Sequence, residues 1–404
     1  MLKPPEIDYR AHPAFATLPH CNDSRDRSVT QCVMAIDAEF TRHELRAKGL
    51  EKEDIAGFEQ AVSALGTELS GQIAALHSSE PETQQWLHQS VAVTLKTLAE
   101  ELRLAARQQR SIEAHGLHQS SIAQPFLRDG ITQIPLPIGT SETWFKASTA
   151  LRELLRSRAK ANPAFRQHAA IPQLGALGRS ICAQLRQCGA WSLAEQYQGC
   201  PLEIGYLDLH YSHPGQSWYK NCYADVGVDT SPLSYMHCDY GPGSQKLVFY
   251  FAPVTPENGP FSFLPGSHAW PRSMFGHVIG KELDLQHINL FKTRCDDGYY
   301  RARFRDTKER ARFAALPSSF QHTSHFGDDV LRTSENFEFL RTREQAYTAT
   351  DTVVMFNGSR GIHRGGLCTE GERWAVHIGL KEKAKRTLWQ SLRRQLGEVR
   401  RAMR

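Results

Sequence analysis

The chain has 404 residues, of which 40% are hydrophobic, 23% charged and 9% aromatic. This is a globular composition that excludes a wholly disordered chain, a collagen-like repeat and a disulfide miniprotein, and the length gives a prior of two to three domains. The net charge of +5 is concentrated: residues 381–404 carry nine Lys or Arg and two Glu, which leaves −2 on the body, so a uniformly basic nucleic-acid binder is excluded and no nucleic-acid partner is expected. No run of about 18 apolar residues predicts a spanning helix. The opening MLKPPEIDYRAHPAF lacks the apolar stretch of a secretory signal. Nine cysteines without a C-x-x-C fit reduced thiols and a cytoplasmic setting.

Residues 1–45 show weak periodicity and many turn formers, and the pattern predicts an irregular arm. Ile55, Phe58, Val62, Leu65, Leu69, Ile73 and Leu76 recur at spacings of three and four. Val91, Leu95, Leu98, Leu102 and Ala105 resume the pattern after a polar break, which predicts an antiparallel helical hairpin. Its near-heptad spacing fits packing within its own domain, with a homodimer seam as the alternative. Residues 121–139 are rich in Pro and Gly and predict loop or edge strand. Helices are expected from about Ser141 to Lys160 and over 173–188, so residues 1–200 are expected to be mostly helical. From 201 the pattern changes. Residues 201–211 alternate, with Leu207, Leu209 and Tyr211 on one face, and KLVFYFAPV (246–254) reads as a strand covered on both faces. DTVVMFNG (351–358) and RWAVHIGL (373–380) are further strands, separated by Gly/Pro turns. Short strands of this kind predict a sandwich or barrel over 201–380, interrupted by a long segment at 269–350 that is expected to serve as a lid or substrate loop.

The chemistry is concentrated at His237-Cys238-Asp239. In an extended chain residues i and i+2 share a face, so an imidazole and a carboxylate can reach one metal ion. The best third ligand is His363, directly after DTVVMF. Two His and one carboxylate leave open positions on a six-coordinate ion, which suits non-haem Fe(II) and dioxygen rather than a closed structural zinc site. Ten residues on, Arg373 shares a strand face with His377, and a guanidinium pointing into a barrel needs an anion, most naturally a carboxylate held by two hydrogen bonds.

HCDYG (237–241), KLVFYFAPV, PENGPFSFLPGSH (256–268) and FNGSRGIHRGG with Arg373 together resemble the phytanoyl-CoA dioxygenase-like family of Fe(II)/2-oxoglutarate-dependent oxygenases, over roughly residues 203–380. The resemblance implies an α+β protein with a double-stranded β-helix, or jelly-roll, core. It implies Fe(II) held by His237, Asp239 and His363, with 2-oxoglutarate as cosubstrate bound through Arg373 and dioxygen as oxidant. The reaction implied is hydroxylation or other oxidation of an unactivated C–H, with release of succinate and CO2. Tyr250 matches a position where relatives set an aromatic ring against the cosubstrate, and Cys238 lies between two ligands. Gly365 departs from the pattern, because some relatives carry there a Ser that touches the cosubstrate. The second carboxylate donor therefore stays open among Lys246, His377, Tyr206 and His210. Retention of Asp239 disfavours a halogenase.

The remaining features bear on substrate and location. Arg364 faces either solvent or an anionic substrate, and with Lys246 and His377 it is a candidate substrate contact. YYRARFRDTKERARF (299–313) reads either as an anion-binding patch or as an exposed amphipathic helix. NGP (258–260) and PGSH (265–268) are expected to be turns, with His268 structural. His322 and His325 read as solvated or substrate-facing. The tail places Leu388, Leu392, Leu396, Val399 and Met403 on one helical face against Lys and Arg. This is the composition of a helix lying on anionic lipid, although docking on its own core or on a partner subunit is the simpler reading. The sequence thus predicts an oxygenase acting on a polar or anionic small molecule or glycolipid, cytoplasmic with optional contact to the inner face of a membrane. The rival readings are a non-catalytic jelly-roll scaffold or binding protein and an enzyme using another metal.

Overall fold

A computed structural model describes residues 9–44, 46, 49–76, 81–163, 167–215, 236–239, 243, 245–291, 307–322, 325–326 and 342–383. The chain divides into two compact units. One comprises Met1–Arg110, Trp218–Pro242 and Ala269–Glu344, and the other Ser111–Ser217, Gly243–His268 and Gln345–Arg404. Most of the basic tail (384–404), Tyr240 and Gly241 of the HCDYG motif, and 299–306 of the Arg-rich patch lie outside the described residues. No helix among the described residues is long and apolar enough to cross a membrane.

The first unit is helical. Contrary to the irregular arm expected at the start of the chain, Asp23–Glu44 is a helix of six turns. Its apolar stripe is thin but periodic: Val29, Cys32, Val33, Ile36 and Phe40 are all buried. The Asn22 side chain accepts the Ser24 N–H at 3.0 Å and supplies the start signal. The expected hairpin forms from Lys52–Ala74 and Pro81–Ala114. The close approach of its arms falls at Gly66, where an added Cβ would lie 2.5 Å from Leu95 Cδ1. Ile55, Phe58, Val62, Leu87, Val91 and Leu98 join one core with the first helix, so the hairpin's apolar stripe is spent inside its own unit. Met274–Phe291 and Thr307–Ala315, from the segment at 269–350, are helices of this unit. They contribute Phe275, Val278, Ile279, Leu283 and Phe313 to the same core.

The second unit is built on a large antiparallel sheet. Its strands are β1 (Ile131–Pro135), β2 (Gln167–Ala170), β3 (Leu202–Ser212), β4 (Gln245–Tyr250), β5 (Phe261–Phe263), β6 (Gln345–Tyr347), β7 (Thr352–Asn357), β8 (His363–Gly365) and β9 (Arg373–Glu382). The large sheet has the order β1-β7-β4-β9-β3-β2, and β8, β5 and β6 pair antiparallel in a smaller sheet. Strand alternation divides the side chains. Leu207, Leu209, Tyr211, Leu247, Phe249, Val353, Met355, Trp374, Val376 and Ile378 pack under the helices Ala123–Asp129, Thr140–Ala147, Thr149–Ala161, Ala176–Gln187 and Ala190–Gln198. On the opposite face Ile131, Val248, Tyr250, Val354, Phe356 and Ala375 meet Phe261, Phe263 and Tyr347 of the smaller sheet. The apolar run at 246–254 thus is covered on both faces, as its composition implied.

Several boundaries differ from the sequence expectation. Residues 121–139 contain a short helix as well as the edge strand β1, and β2 had no apolar signature. The helix expected from Ser141 to Lys160 breaks at Ser148, whose hydroxyl donates to the Phe145 carbonyl at 2.8 Å instead of facing solvent. The turn into β7 is fixed by Asp351, in the left-handed region at φ 49°. Its carboxylate accepts the Gly139 and Ser141 N–H groups at 2.7 and 2.6 Å, at the start of the helix Thr140–Ala147.

Both expected turns occur. Gly259 has φ 67°, and an added Cβ would sit 2.3 Å from the Leu367 carbonyl carbon. His268 packs its ring on Gly130 and pairs through Nε2 with the Leu127 carbonyl at 3.3 Å, a structural role. Gly259→Ala is therefore expected to lower unfolding stability by about 1–3 kcal/mol in urea titration, since it combines left-handed strain with a backbone clash. An unchanged midpoint would show that the turn tolerates a side chain.

Candidate metal centre

In the first unit His237 and Asp239 follow the expected i, i+2 arrangement. Met236–His237 pairs antiparallel with His325–Phe326, which extends the backbone here. His237 Nε2 stands 3.7 Å from Asp239 Oδ1, and Asp239 is buried. Cys238, between them, is also buried, with its Sγ 3.7 Å from Arg272 Nη1. Arg272 also donates to His277 Nδ1 at 3.4 Å. Lys281, 5% exposed, completes a basic surround. Burial pushes its ammonium pKa down, and Glu101, Cys238 and Asp239 act in the opposite direction. Arg272 and Lys281 lie far along the chain from the motif, and nothing in their spacing marked them.

In the second unit β8 carries His363, 3% exposed, with ring centroids of Phe356, Phe261 and Phe263 at 4.8, 5.9 and 6.4 Å. His363 Nδ1 is 2.9 Å from the Gly361 carbonyl. A carbonyl only accepts, so Nδ1 carries the proton and the lone pair falls on Nε2, which is how a ligating imidazole is usually aimed. Gly361 is required by this packing, since an added Cβ would stand 2.2 Å from the Phe263 ring.

Arg373 opens β9. Its Nη1 donates to the Gly366 carbonyl at 3.0 Å and its Nη2 to the Ser212 hydroxyl at 2.9 Å. Ser212 is its direct cross-strand partner in the register, so alternation along β3 contained this contact although sequence reading assigned Ser212 no role. A Cβ on Gly365 would lie 3.7 Å from Arg373 Nη2, so a side chain at this position would touch the guanidinium. Tyr250 is fully buried and its hydroxyl accepts the Phe261 N–H at 2.7 Å. Burial raises its phenol pKa, while the Arg373 charge and that hydrogen bond lower it.

The strand is held at its start by Glu372, which accepts from Arg156 Nη2 at 2.6 Å, the Tyr211 hydroxyl at 2.7 Å and the Trp374 indole at 3.2 Å. Burial alone would raise the Glu372 carboxyl, but the Arg156 guanidinium and the Tyr211 and Trp374 hydrogen bonds outweigh it and hold it below its ordinary value.

The remaining candidates spread along the sheet. Arg364 is buried, 6% exposed, which decides against a solvent-facing side chain. Lys246 and His377 are half-buried, and Tyr206 is exposed. His210 is buried and stacks on His377 with centroids 4.1 Å apart.

No protein-family model matches the chain, and no curated protein matches it. Among solved structures it is similar to the non-heme alpha ketoglutarate dependent carbocyclase SnoK from nogalamycin biosynthesis, at 14% identity over 66% of this chain and 85% of that one, with a TM-score of 0.39. It is also similar to HygX from Streptomyces hygroscopicus, solved with nickel and 2-oxoglutarate, at 13% identity over 66% and 87% of the two chains and a TM-score of 0.35. EctD from S. alaskensis is 15% identical over 67% and 78%, at a TM-score of 0.34. At TM-scores below 0.5 these likenesses assign the chain neither a fold nor an activity.

The Glu372 arrangement has a definite pH signature. A carboxyl whose folded pKa is depressed stabilises the fold above its unfolded value, near the ordinary glutamate pKa of about 4.3, and loses that contribution as pH falls through the folded value. The stability gap between the parent and Glu372→Gln is expected to be full at pH 7 and to close as urea titrations are taken down from about pH 5 to pH 3. A gap independent of pH would show that the Glu372 charge contributes nothing.

Proposed function

We propose that the chain is an Fe(II)- and 2-oxoglutarate-dependent oxygenase on a double-stranded β-helix core, with His237, Asp239 and His363 as the iron ligands and Arg373 as the anchor for the far carboxylate of 2-oxoglutarate. The observation that carries the reading is the His237–Asp239 pair of the first unit, with His237 Nε2 3.7 Å from Oδ1 of the buried Asp239, and His363 of the second unit supports it, because the Gly361 carbonyl leaves its Nε2 lone pair for a metal. Two imidazoles and one carboxylate are the donor set of non-haem iron enzymes that keep positions open for cosubstrate and dioxygen. Iron and 2-oxoglutarate, when bound, would let dioxygen oxidise the C–H bond, one oxygen atom going to the substrate and the other to the keto acid, which leaves as succinate and CO2.

The chain's own residues supply orientation and dryness. The Gly361 carbonyl fixes the tautomer and tilt of His363. Phe261, Phe263 and Phe356 surround that ring with apolar edges that exclude water. Ser212 and the Gly366 carbonyl fix the orientation of the Arg373 guanidinium, which would pair the carboxylate of the cosubstrate. Tyr250, its hydroxyl engaged by the Phe261 N–H, would wall the cosubstrate. Cys238 is a pocket-lining residue, and Lys246, His377 and Arg364 stand as substrate-side candidates. The second carboxylate donor is left unassigned.

Arg272 supports a polar or anionic small molecule, or the headgroup of a glycolipid, as substrate: its guanidinium brings positive charge to Cys238. The proposed setting is the cytoplasm, with the basic tail as a contact for an anionic membrane surface and with homodimer formation as an open proposal.

Iron content and cosubstrate affinity separate the roles. His237→Ala and Asp239→Ala are expected to lose stoichiometric iron and all 2-oxoglutarate consumption. Arg373→Ala should keep iron while its 2-oxoglutarate Kd, from anaerobic calorimetry, rises 10-fold or more, as loss of a charge-assisted pair implies. An unchanged Kd would remove Arg373 from the cosubstrate site, and turnover without 2-oxoglutarate would favour a different metalloenzyme.

A further inference from the structure

A second group of metal-ligating side chains lies wholly within the second unit, apart from the residues given to iron. β2, β3 and β9 are neighbours at one end of the large sheet, and strict alternation points His168, Asp208, His210 and His377 to the same face. The register sets His168 directly opposite His210, and Asp208 directly opposite His377. His168 Nδ1 is 3.8 Å from Asp208 Oδ2. One donor atom from each of His168, Asp208 and His210 lies within 4.8 Å of the other two. The imidazoles stack in a row, with His168 and His210 centroids 5.4 Å apart and His210 and His377 4.1 Å apart, both at 24°.

We infer that His168, Asp208 and His210 form a second site for a divalent transition-metal ion of the zinc type, with His377 stacked behind His210 to fix its ring.

Three considerations carry this. The first is geometry. The three donor atoms already lie within 4.8 Å of one another on one face of the sheet, so a single divalent cation can take one donor from each. The second is position. His210 is buried and Asp208 half-buried, while His168 is exposed, so two ligands are held by the sheet and the third can swing onto an ion that arrives from solvent. Donors around tetrahedral zinc, bonded at about 2.0–2.2 Å, sit roughly 3.4 Å apart. The present spacing closes to that value through a small side-chain movement, for which His168 has room. The third is donor type. Two nitrogens and one oxygen without thiolate suit zinc, cobalt or nickel, and disfavour calcium or magnesium, which prefer all-oxygen shells.

The site makes a further demand on the proposed oxygenase. If His210 ligates this ion and His377 braces it, neither is available as the second 2-oxoglutarate donor, which leaves Lys246 and Tyr206 from that group.

Zinc(II) itself is the probe, bound to the full chain and measured by equilibrium dialysis with metal analysis. The parent is expected to bind two zinc ions per chain. Asp239→Ala/His363→Ala, which removes the iron ligands, should still bind one. Adding His168→Ala and Asp208→Asn to that background should weaken the remaining zinc on the order of 100-fold or more, since loss of two ligands exceeds the effect of losing an outer hydrogen-bond partner. His168 is exposed and Asp208→Asn preserves shape, so circular dichroism should show an unchanged fold. Zinc affinity indifferent to His168→Ala/Asp208→Asn in a folded chain, or no zinc bound by folded Asp239→Ala/His363→Ala, would overturn the site. Either result leaves the iron reading untouched, because the two ligand sets are removed separately.

Discussion

The second unit depends on the pairing of β9 with its two neighbours, β3 and β4. Ten residues of β9 run antiparallel to β3 from Arg373 opposite Ser212 to Glu382 opposite Leu202. On its other edge Ala375 to Leu380 pair with β4. Because side chains alternate, one register decides both faces. Trp374, Val376, Ile378 and Leu380 are committed to the core under the helices, and Arg373, Ala375, His377 and Gly379 must point the other way. A slip of one residue would turn the guanidinium under the helices and carry Trp374, Val376 and Ile378 to the opposite face. The Glu372 cluster with Arg156, Tyr211 and Trp374 prevents that slip, since it fixes the first residue of the strand from the helix side.

That constraint connects two otherwise separate features of the sheet's polar face. Arg373 with Ser212 occupies one end, and His377 with Asp208, His210 and His168 follows within one or two strand periods. Between them Ala375, with Tyr250 and Val248 on β4, keeps the surface apolar. Gly379 is the position where a side chain cannot be accommodated, because an added Cβ would stand 2.1 Å from the Tyr206 ring. The sheet therefore offers spaced polar groups on an apolar ground, the pattern of a surface that fixes small ligands by a few directed contacts.

Much of this was legible from alternation and turn chemistry. The two faces of β3 and β9, the doubly covered β4, the helical hairpin and the turns at Gly259 and Gly266 follow from period and from glycine placement. His237, Asp239, His363 and Arg373 are the residues that motif spacing and ligand chemistry single out as candidates. What escaped had weak local signals. The helix Asp23–Glu44 carries a narrow apolar stripe amid charged residues, and β2 reads as neither strand nor loop because its four residues borrow their hydrogen bonds from β3. Ser212, Arg272 and Lys281 gain their neighbours only through tertiary approach, which no spacing encodes. His168 shows the same limit: Asp208 and His210 are adjacent in an obvious strand, but their third partner lies about forty residues upstream and is brought in by an edge pairing.

The central claim concerns a metal with open positions beside a carboxylate-binding arginine. Anaerobic titration of the apoprotein with Fe(II) and then 2-oxoglutarate tests it most directly, through the weak visible charge-transfer band that arises when the keto acid chelates ferrous iron. The account predicts that the band appears in the parent and is absent in His363→Ala, while His168→Ala retains it. A folded, iron-loaded parent that shows no band would contradict the account, and the bound iron would then belong to a site that does not take 2-oxoglutarate.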